Sequence, residues 1–197
     1  MCIICTGNYI GKSSINCNRC PYVISIPVIV GLRVLDCYDC PRLTTIPNIE
    51  GLQRLYCSNC PLLTTIPHIK GLQNLYCSIW PLLKAIPNIE GLQRLDCSDC
   101  PLLTTIPNIK GLQTLYCYNC PLLTTIPHIE GLQILNCSDC KWLKESYVNN
   151  ILYYKLIFKL KKLQRWVRNN LRSKWAQNTL NLKLDTTEFL YILNNNQ

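Results

Sequence analysis

The chain has 197 residues, of which 48% are apolar, so it can bury a core, and wholesale disorder is excluded. Its net charge of +9 is uneven, because residues 141–197 hold eleven of the twenty Lys and Arg but three of the eleven Asp and Glu. No apolar run reaches the roughly 18 residues of a membrane span, and the first residues lack the pattern of a signal peptide. We therefore expect an intracellular protein in a reducing compartment, where thiols stay free.

Glycine recurs every twenty residues, at positions 11, 31, 51, 71, 91, 111 and 131. The segments between them read Gly-Leu-Gln-x-Leu-x-Cys-x-x-Cys-Pro-x-Leu-x-x-Ile-Pro-x-Ile-x, as residues 91–110 show in full. A fixed period without insertions predicts stacked coils rather than a globular core. We assign residues 1–10 to a partial N-terminal coil, 11–146 to a solenoid of about seven coils, and 147–197 to a C-terminal cap.

Each coil is expected to contain one short strand and one irregular returning leg. The spacing Leu-x-x-Leu-x-Cys alternates inward and outward residues, which is typical of a strand. Prolines such as Pro61 and Pro67 exclude a helix in the returning leg. The predicted fold is therefore α+β, a parallel-β solenoid followed by an α-helical basic cap, with no helix between residues 30 and 130.

The run Leu92-x-x-Leu95-x-Cys97-x-x-Cys100-x-x-Leu103, followed by Ile106-Pro107, resembles a leucine-rich repeat of the short, 20-residue class. Its Cys-Ser-x-Cys-Pro variant is similar to uncharacterised cysteine-rich repeat proteins of giant DNA viruses. The resemblance covers about residues 11–146. It implies a non-enzymatic module that binds a protein partner on the concave face of the solenoid, in the host cytoplasm if the protein is viral.

The outward strand positions vary from coil to coil while the core positions do not. Tyrosine is a rigid, amphipathic contact residue that is enriched at interfaces, so we expect Tyr56, Tyr76 and Tyr116 to be exposed on the concave face. The alternative is that these rings only stabilise the sheet by pairing across strands. The candidate partner-binding residues are Tyr38, Arg54, Tyr56, Tyr76, Arg94, Asp96, Tyr116 and Tyr118.

The last residue of each central coil alternates in sign. The series Glu50, Lys70, Glu90, Lys110 and Glu130 predicts a ladder of salt bridges along one edge of the solenoid, with a contribution of ~0–1 kcal/mol per exposed pair.

Six coils contain a Cys-x-x-Cys motif, at 17/20, 37/40, 57/60, 97/100, 117/120 and 137/140. The first cysteine replaces an inward apolar residue and the second a buried turn residue, so we expect reduced structural thiols. Zinc, an iron–sulfur cluster and disulfides are the alternatives. The coil of residues 71–90 has Trp80 in place of the second cysteine, and we expect this indole to turn outward or to distort its turn.

No constellation of catalytic residues is evident. The two histidines, His68 and His128, lie on the returning legs, away from the thiols that they would have to activate. The sequence therefore predicts no catalytic residue, no metal and no cofactor, and the protein is not expected to be an enzyme.

Residues 148–177 have helical spacing and combine a leucine stripe with many cations. We expect this basic helix to cap the last coil of a monomer. Contact with nucleic acid, an acidic membrane or a calmodulin-like partner is the alternative role. The cations are Lys155, Lys159, Lys162, Arg165, Arg168 and Arg172.

Overall fold

The computed structural model describes residues 2–140. The predicted basic helix and its six cations lie outside the described residues, as does the rest of the predicted cap. Seven strands of three residues follow one another at the 20-residue period. They are β1 (Ser14–Asn16), β2 (Val34–Asp36), β3 (Arg54–Tyr56), β4 (Asn74–Tyr76), β5 (Arg94–Asp96), β6 (Thr114–Tyr116) and β7 (Ile134–Asn136).

The strands form one parallel sheet in the order β1 to β7, and every strand pairs with the equivalent residues of the next coil. Leu55, for example, lies opposite Leu75, which lies opposite Leu95. One parallel strand per coil is therefore confirmed, and residues 2–140 contain no helix. It follows that the described part of the chain has no helix that could cross a bilayer.

Each coil changes direction twice through left-handed backbone. The first turn uses the periodic glycine, whose φ lies between 74° and 87°, a region that favours glycine because it has no Cβ. The second turn, eight residues later, uses Asp or Asn in five coils, Arg19 in the first and Ile79 in the fourth. Asp and Asn tolerate this conformation, whereas a β-branched side chain such as that of Ile79 is strained there.

The core is made of leucine and isoleucine ladders that repeat at five positions of the coil. Leu52, Leu55 and Leu63 are completely buried, and Ile66 and Ile69 are also buried, as are their equivalents in the coils that begin at residues 31, 71, 91 and 111. Burial of one such side chain contributes ~1.5–3 kcal/mol before the loss of conformational entropy. One coil of this size cannot fold alone, so stability depends on the stacking of neighbours.

Trp80 is completely buried, so the expectation that it turns outward is wrong. Its indole Nε1–H donates to the backbone oxygen of Cys57 at 2.6 Å. In other coils a cysteine thiol occupies this place and donates to the equivalent oxygen, as Cys60 does to Cys37. The alternative expectation, a distorted turn, is supported, because the distance from Leu83 N to Trp80 O is 3.5 Å against 3.1–3.2 Å in other coils.

The expected ladder of salt bridges does not form. Glu50, Lys70, Glu90, Lys110 and Glu130 are all exposed. Within residues 2–140 the one ion pair recorded joins Arg19 to Asp39 at 3.7 Å. Long, fully hydrated side chains lose rotamer freedom when they pair and gain little in return, so alternation of sign alone does not order them.

Candidate binding face

The outward side of the strands forms one continuous surface, called here the sheet face. It consists of the first and third residues of each strand together with the residue two positions after the strand. The central residue of every strand, such as Leu75, points inward and is buried. The sheet face therefore carries the residues that differ between coils, on a scaffold that is the same in all of them.

Tyrosines on adjacent strands stack on the sheet face. The third strand residue is Tyr56 in β3 and Tyr76 in β4, and these two residues are directly opposite in the parallel register. Their ring centroids are 4.6 Å apart and the ring planes differ by 10°. Stacking at this distance fixes both rings in one orientation.

The next strand has an aspartate, Asp96, where the tyrosine row would continue, and Arg94 covers the gap. The Arg94 Cζ atom lies 5.6 Å from the centre of the Tyr76 ring and 5.2 Å from that of Tyr116. Both distances are within the range of cation–π interaction. Tyr56, Tyr76, Arg94 and Tyr116 thus form a continuous aromatic column across β3, β4, β5 and β6.

Stacking explains why the tyrosines are less exposed than expected. Tyr56, Tyr76 and Tyr116 are half-buried, because each flat ring is covered on at least one side by its neighbour in the column. Burial raises the pKa of Tyr76, and the positive charge of Arg94 offsets part of this increase. The phenol is therefore neutral at physiological pH and offers a hydroxyl at the end of an apolar ring.

The Arg94 guanidinium has no ion pair and no hydrogen bond with another described residue, and its Nε atom is buried without a partner. Asp96 lies close in sequence, but its carboxylate accepts from the Ser98 backbone N–H at 3.2 Å instead. A guanidinium held by two rings, with its donors unused, is suited to bind a carboxylate or a carbonyl oxygen.

The third strand position therefore has two uses. In the coils where it is Asn or Asp, the side chain accepts a hydrogen bond from the backbone two residues later, as Asn16 does from Asn18 at 3.0 Å. In the coils where it is Tyr, the ring joins the aromatic column instead. Asp96 consequently stabilises the turn after its own strand by accepting a hydrogen bond from Ser98. From the sequence, only partner binding was predicted for this residue.

The remaining candidates on the sheet face are dispersed around the column. Arg54 is exposed at the start of β3, and Tyr38 and Tyr118 are half-buried just after β2 and β6. Burial, together with the Asp99 and Asp96 carboxylates, raises the pKa of Tyr118. Partner binding by the eight predicted residues remains a prediction.

A second concavity lies on the returning legs of the central coils. It has a volume of about 580 Å³ and is lined mainly by apolar side chains, including Leu82, Ala85 and Leu102. The fourth coil has Lys84-Ala85 here, where most other coils have two threonines. The groove contains no group of titratable side chains suited to catalysis among the described residues.

All fifteen cysteines lie within residues 2–140, and all are free thiols. From Cys40 onward, the second cysteine of each motif donates to a backbone oxygen of the preceding coil, as Cys40 does to Cys17 and Cys140 to Cys117, both at 3.1 Å. Burial raises the pKa of Cys97 well above its usual value, so this thiol is neutral and not activated as a nucleophile.

Three cysteines at the N-terminal end depart from this ladder. The Cys2 and Cys5 sulfurs are 3.6 Å apart, and those of Cys5 and Cys20 are also 3.6 Å apart. Burial and the neighbouring thiols raise the pKa of Cys5 to about 11. At Cys20 burial also raises the pKa, but hydrogen bonds from Tyr22, Cys2 and Val23 together outweigh burial and lower the pKa to about 7. Sequence reasoning missed this cluster, although Cys2-x-x-Cys5 stands outside the repeat register.

Residues 51–75 and 91–110 match the family model of the Leucine Rich Repeat. These segments are leucine-rich repeats. The other described coils have the same strand register and, apart from the exposed Lys12 in the first coil, the same buried positions, so they repeat the same structural unit. No curated protein and no solved structure matches the chain significantly.

Leucine-rich repeats generally mediate contacts between proteins and are typically not enzymes. The repeat itself does not specify a partner, because its shared residues are the ones that build the core. Selectivity has to come from side chains that differ between repeats, and in the described coils the sheet face carries many of these.

Proposed function

We propose that this chain is a non-enzymatic interaction module that binds a protein partner on its sheet face, in a reducing intracellular compartment. The observation that carries the proposal is the aromatic column of Tyr56, Tyr76, Arg94 and Tyr116. Four adjacent coils contribute one residue each to it. Tyrosine and arginine are the residues whose truncation most often weakens protein interfaces.

The column is ordered before any partner arrives. Association normally costs the freedom of the side chains that it immobilises, about 0.5–1.5 kcal/mol for each flexible one. Here ring stacking and the two contacts of Arg94 already restrict these side chains. A partner that places an apolar group on the rings and an acceptor on Arg94 would therefore bind with a smaller entropic loss.

Cross-strand stabilisation of the sheet is the competing role for the same residues. The two roles differ in which measurement changes. A purely structural column affects unfolding only, whereas a binding column affects capture of a partner even when the solenoid remains folded.

The test compares variants of the full chain for capture of proteins from a cell extract. The double variant Tyr76→Ser/Tyr116→Ser should lose most of what the wild type captures. Tyr22→Ser is the matched control, because Tyr22 is 60% exposed on the returning leg of the first coil. Unfolding of each variant in urea shows whether the solenoid is intact.

Capture that survives the double variant in a folded protein would contradict the proposal. A truncated variant that ends at residue 146 tests whether the partner contacts residues 147–197 instead. If capture is lost on that truncation but not in the double variant, the partner contacts residues 147–197, as the basic helix alternative predicts.

A further inference from the structure

We infer that Cys2, Cys5 and Cys20 form a three-thiolate site for a zinc ion at the N-terminal end of the solenoid. This inference does not depend on partner binding by the aromatic column. It departs from the prediction of no metal for these three cysteines only, and the twelve others keep their structural role.

The spacing of the sulfur atoms fits one metal ion. All three sulfurs lie within 4.8 Å of one another, and the two shorter separations are 3.6 Å. Zinc–thiolate bonds of about 2.3 Å in tetrahedral geometry place sulfurs about 3.8 Å apart. A small adjustment of the thiols therefore brings all three within bonding distance of a common centre.

Cys20 differs from the equivalent cysteines of later coils in what its thiol contacts. Its equivalents Cys40, Cys60 and Cys100 each donate to a backbone oxygen twenty-three residues earlier. The Cys20 sulfur instead lies 3.6 Å from the thiol of Cys5.

The Cys-x-x-Cys motifs of the solenoid do not form comparable groups. Among residues 2–140, Cys2, Cys5 and Cys20 are the only set of three potential ligands that converge in this way. Cys2 and Cys5 are also the two half-exposed cysteines of the chain, whereas the other thirteen are buried. An ion can therefore reach this cluster without opening the core.

Zinc is favoured by the donor set and by the open side of the cluster. Thiolates select soft or borderline cations, and zinc accepts three protein ligands plus one further donor. A cavity of about 330 Å³ adjoins the cluster and is lined by Cys2 and Cys20 together with Asn16, Asn18 and Arg19. This cavity has room for a water molecule or an added thiol as the fourth ligand.

A bound ion would also tie the N-terminal turns to the solenoid. Residues 3–11 form consecutive turns, with Thr6 N–H donating to Cys2 O at 3.1 Å. Cys5 lies in this segment and Cys2 immediately precedes it, whereas Cys20 belongs to the first coil. Zinc binding should therefore stabilise the folded chain in proportion to its affinity.

The test uses the full chain, purified under anaerobic reducing conditions and titrated with Zn²⁺ alone and with Co²⁺. We expect one Zn²⁺ per chain by elemental analysis and a thiolate-to-cobalt charge-transfer band. Cys5→Ser and Cys2→Ser should each weaken binding at least tenfold and remove the band. Cys100→Ser, at the repeat position of Cys20 in a central coil, is the control that should bind as the wild type does.

The variants separate loss of the site from loss of the fold. Cys2 and Cys5 precede β1 and are half-exposed, so unfolding in urea without metal should be unchanged in both variants. The proposal is overturned if the wild type binds no more Zn²⁺ than Cys5→Ser does, or if Cys100→Ser loses binding equally. A disulfide between any two of the three cysteines in protein kept reduced would also overturn it.

Discussion

The indole Nε1–H of Trp80 donates to the backbone oxygen of Cys57 at 2.6 Å, in the place that a cysteine thiol occupies in the neighbouring coils. The main requirement at this buried position is therefore a hydrogen-bond donor rather than a side chain of a particular volume. An indole satisfies that requirement although it is much larger than a thiol. In the turn that follows, the distance from Leu83 N to Trp80 O is 3.5 Å, longer than in the other coils. The donor is what the two residue types share.

Removal of this donor should destabilise the solenoid. Trp80→Phe keeps an aromatic ring but leaves the Cys57 oxygen buried without its partner, which costs about 1–3 kcal/mol in unfolding free energy. Cys120→Ala removes the equivalent donor to Cys97 and should fall at the lower end of that range, because a thiol is a weaker donor. Urea unfolding measures both, and a change below about 0.5 kcal/mol for Trp80→Phe would contradict the role of the donor.

Arg94 should contribute to stability through the two rings that it covers. Arg94→Ala removes both cation–π contacts and should lower the unfolding free energy by about 1–2 kcal/mol. Arg54→Ala is the matched control, since Arg54 occupies the same strand position in β3 and is exposed. It should change stability by less than about 0.5 kcal/mol. Equal effects of the two substitutions in urea unfolding would show that the rings do not hold Arg94.

The repeat period was sufficient to predict the strands, their parallel order and the buried ladders. Leu35, Leu55 and Leu75 recur at one interval, and a buried strand of constant period can stack in only one register. The N-terminal cysteines were missed because Cys2 and Cys5 follow no period. Their proximity to Cys20 depends on how the first turns fold back on the coil.

The sheet face was predictable as a surface but not in its contacts. The sequence places Tyr76, Asp96 and Tyr116 in one row, and it gives no indication that Arg94 reaches across from the adjacent row. Whether a side chain of the adjacent row contacts two rings depends on its length and conformation, which the sequence pattern does not specify. The burial of Trp80 was missed for a similar reason, because volume alone was weighed against the hydrogen bond that the slot offers.

Stability should fall at alkaline pH because burial holds six of the core thiols neutral. Burial raises the pKa of Cys100 to about 11 and those of Cys120 and Cys137 to about 12, and it also raises those of Cys57, Cys77 and Cys97 well above the usual value. An unfolded thiol titrates near pH ~8.5, so the folded state binds these protons more tightly. Their contribution is complete below that pH and is lost as the pH rises toward the folded values.

Each such thiol should reduce the unfolding free energy by about 1.4 kcal/mol per pH unit above pH ~8.5. Urea unfolding between about pH 7 and about pH 10, with a phosphine reductant to exclude disulfides, measures the slope. Cys97→Ala removes one of these thiols and should make the slope shallower. Constant stability across this interval would show that the thiols are not held neutral by the fold.

Relief of the left-handed isoleucine should stabilise the fourth coil. Ile79 has a φ of 60°, where five of the other coils use Asp or Asn at φ between 52° and 58°. A β-branched residue is strained in this conformation by about 1–2 kcal/mol, and asparagine is much less so. Ile79→Asn should therefore raise the unfolding free energy by about 1 kcal/mol.

The control must separate backbone strain from the loss of an exposed apolar side chain. Ile79 is 46% exposed, and Ile134 is 47% exposed but lies in strand β7, where extended backbone suits isoleucine. Ile134→Asn should leave stability unchanged or lower it. If both substitutions stabilise equally in urea unfolding, the gain comes from removing surface hydrophobicity. If only Ile79→Asn does so, it comes from the left-handed turn, because that is the feature that distinguishes the two positions.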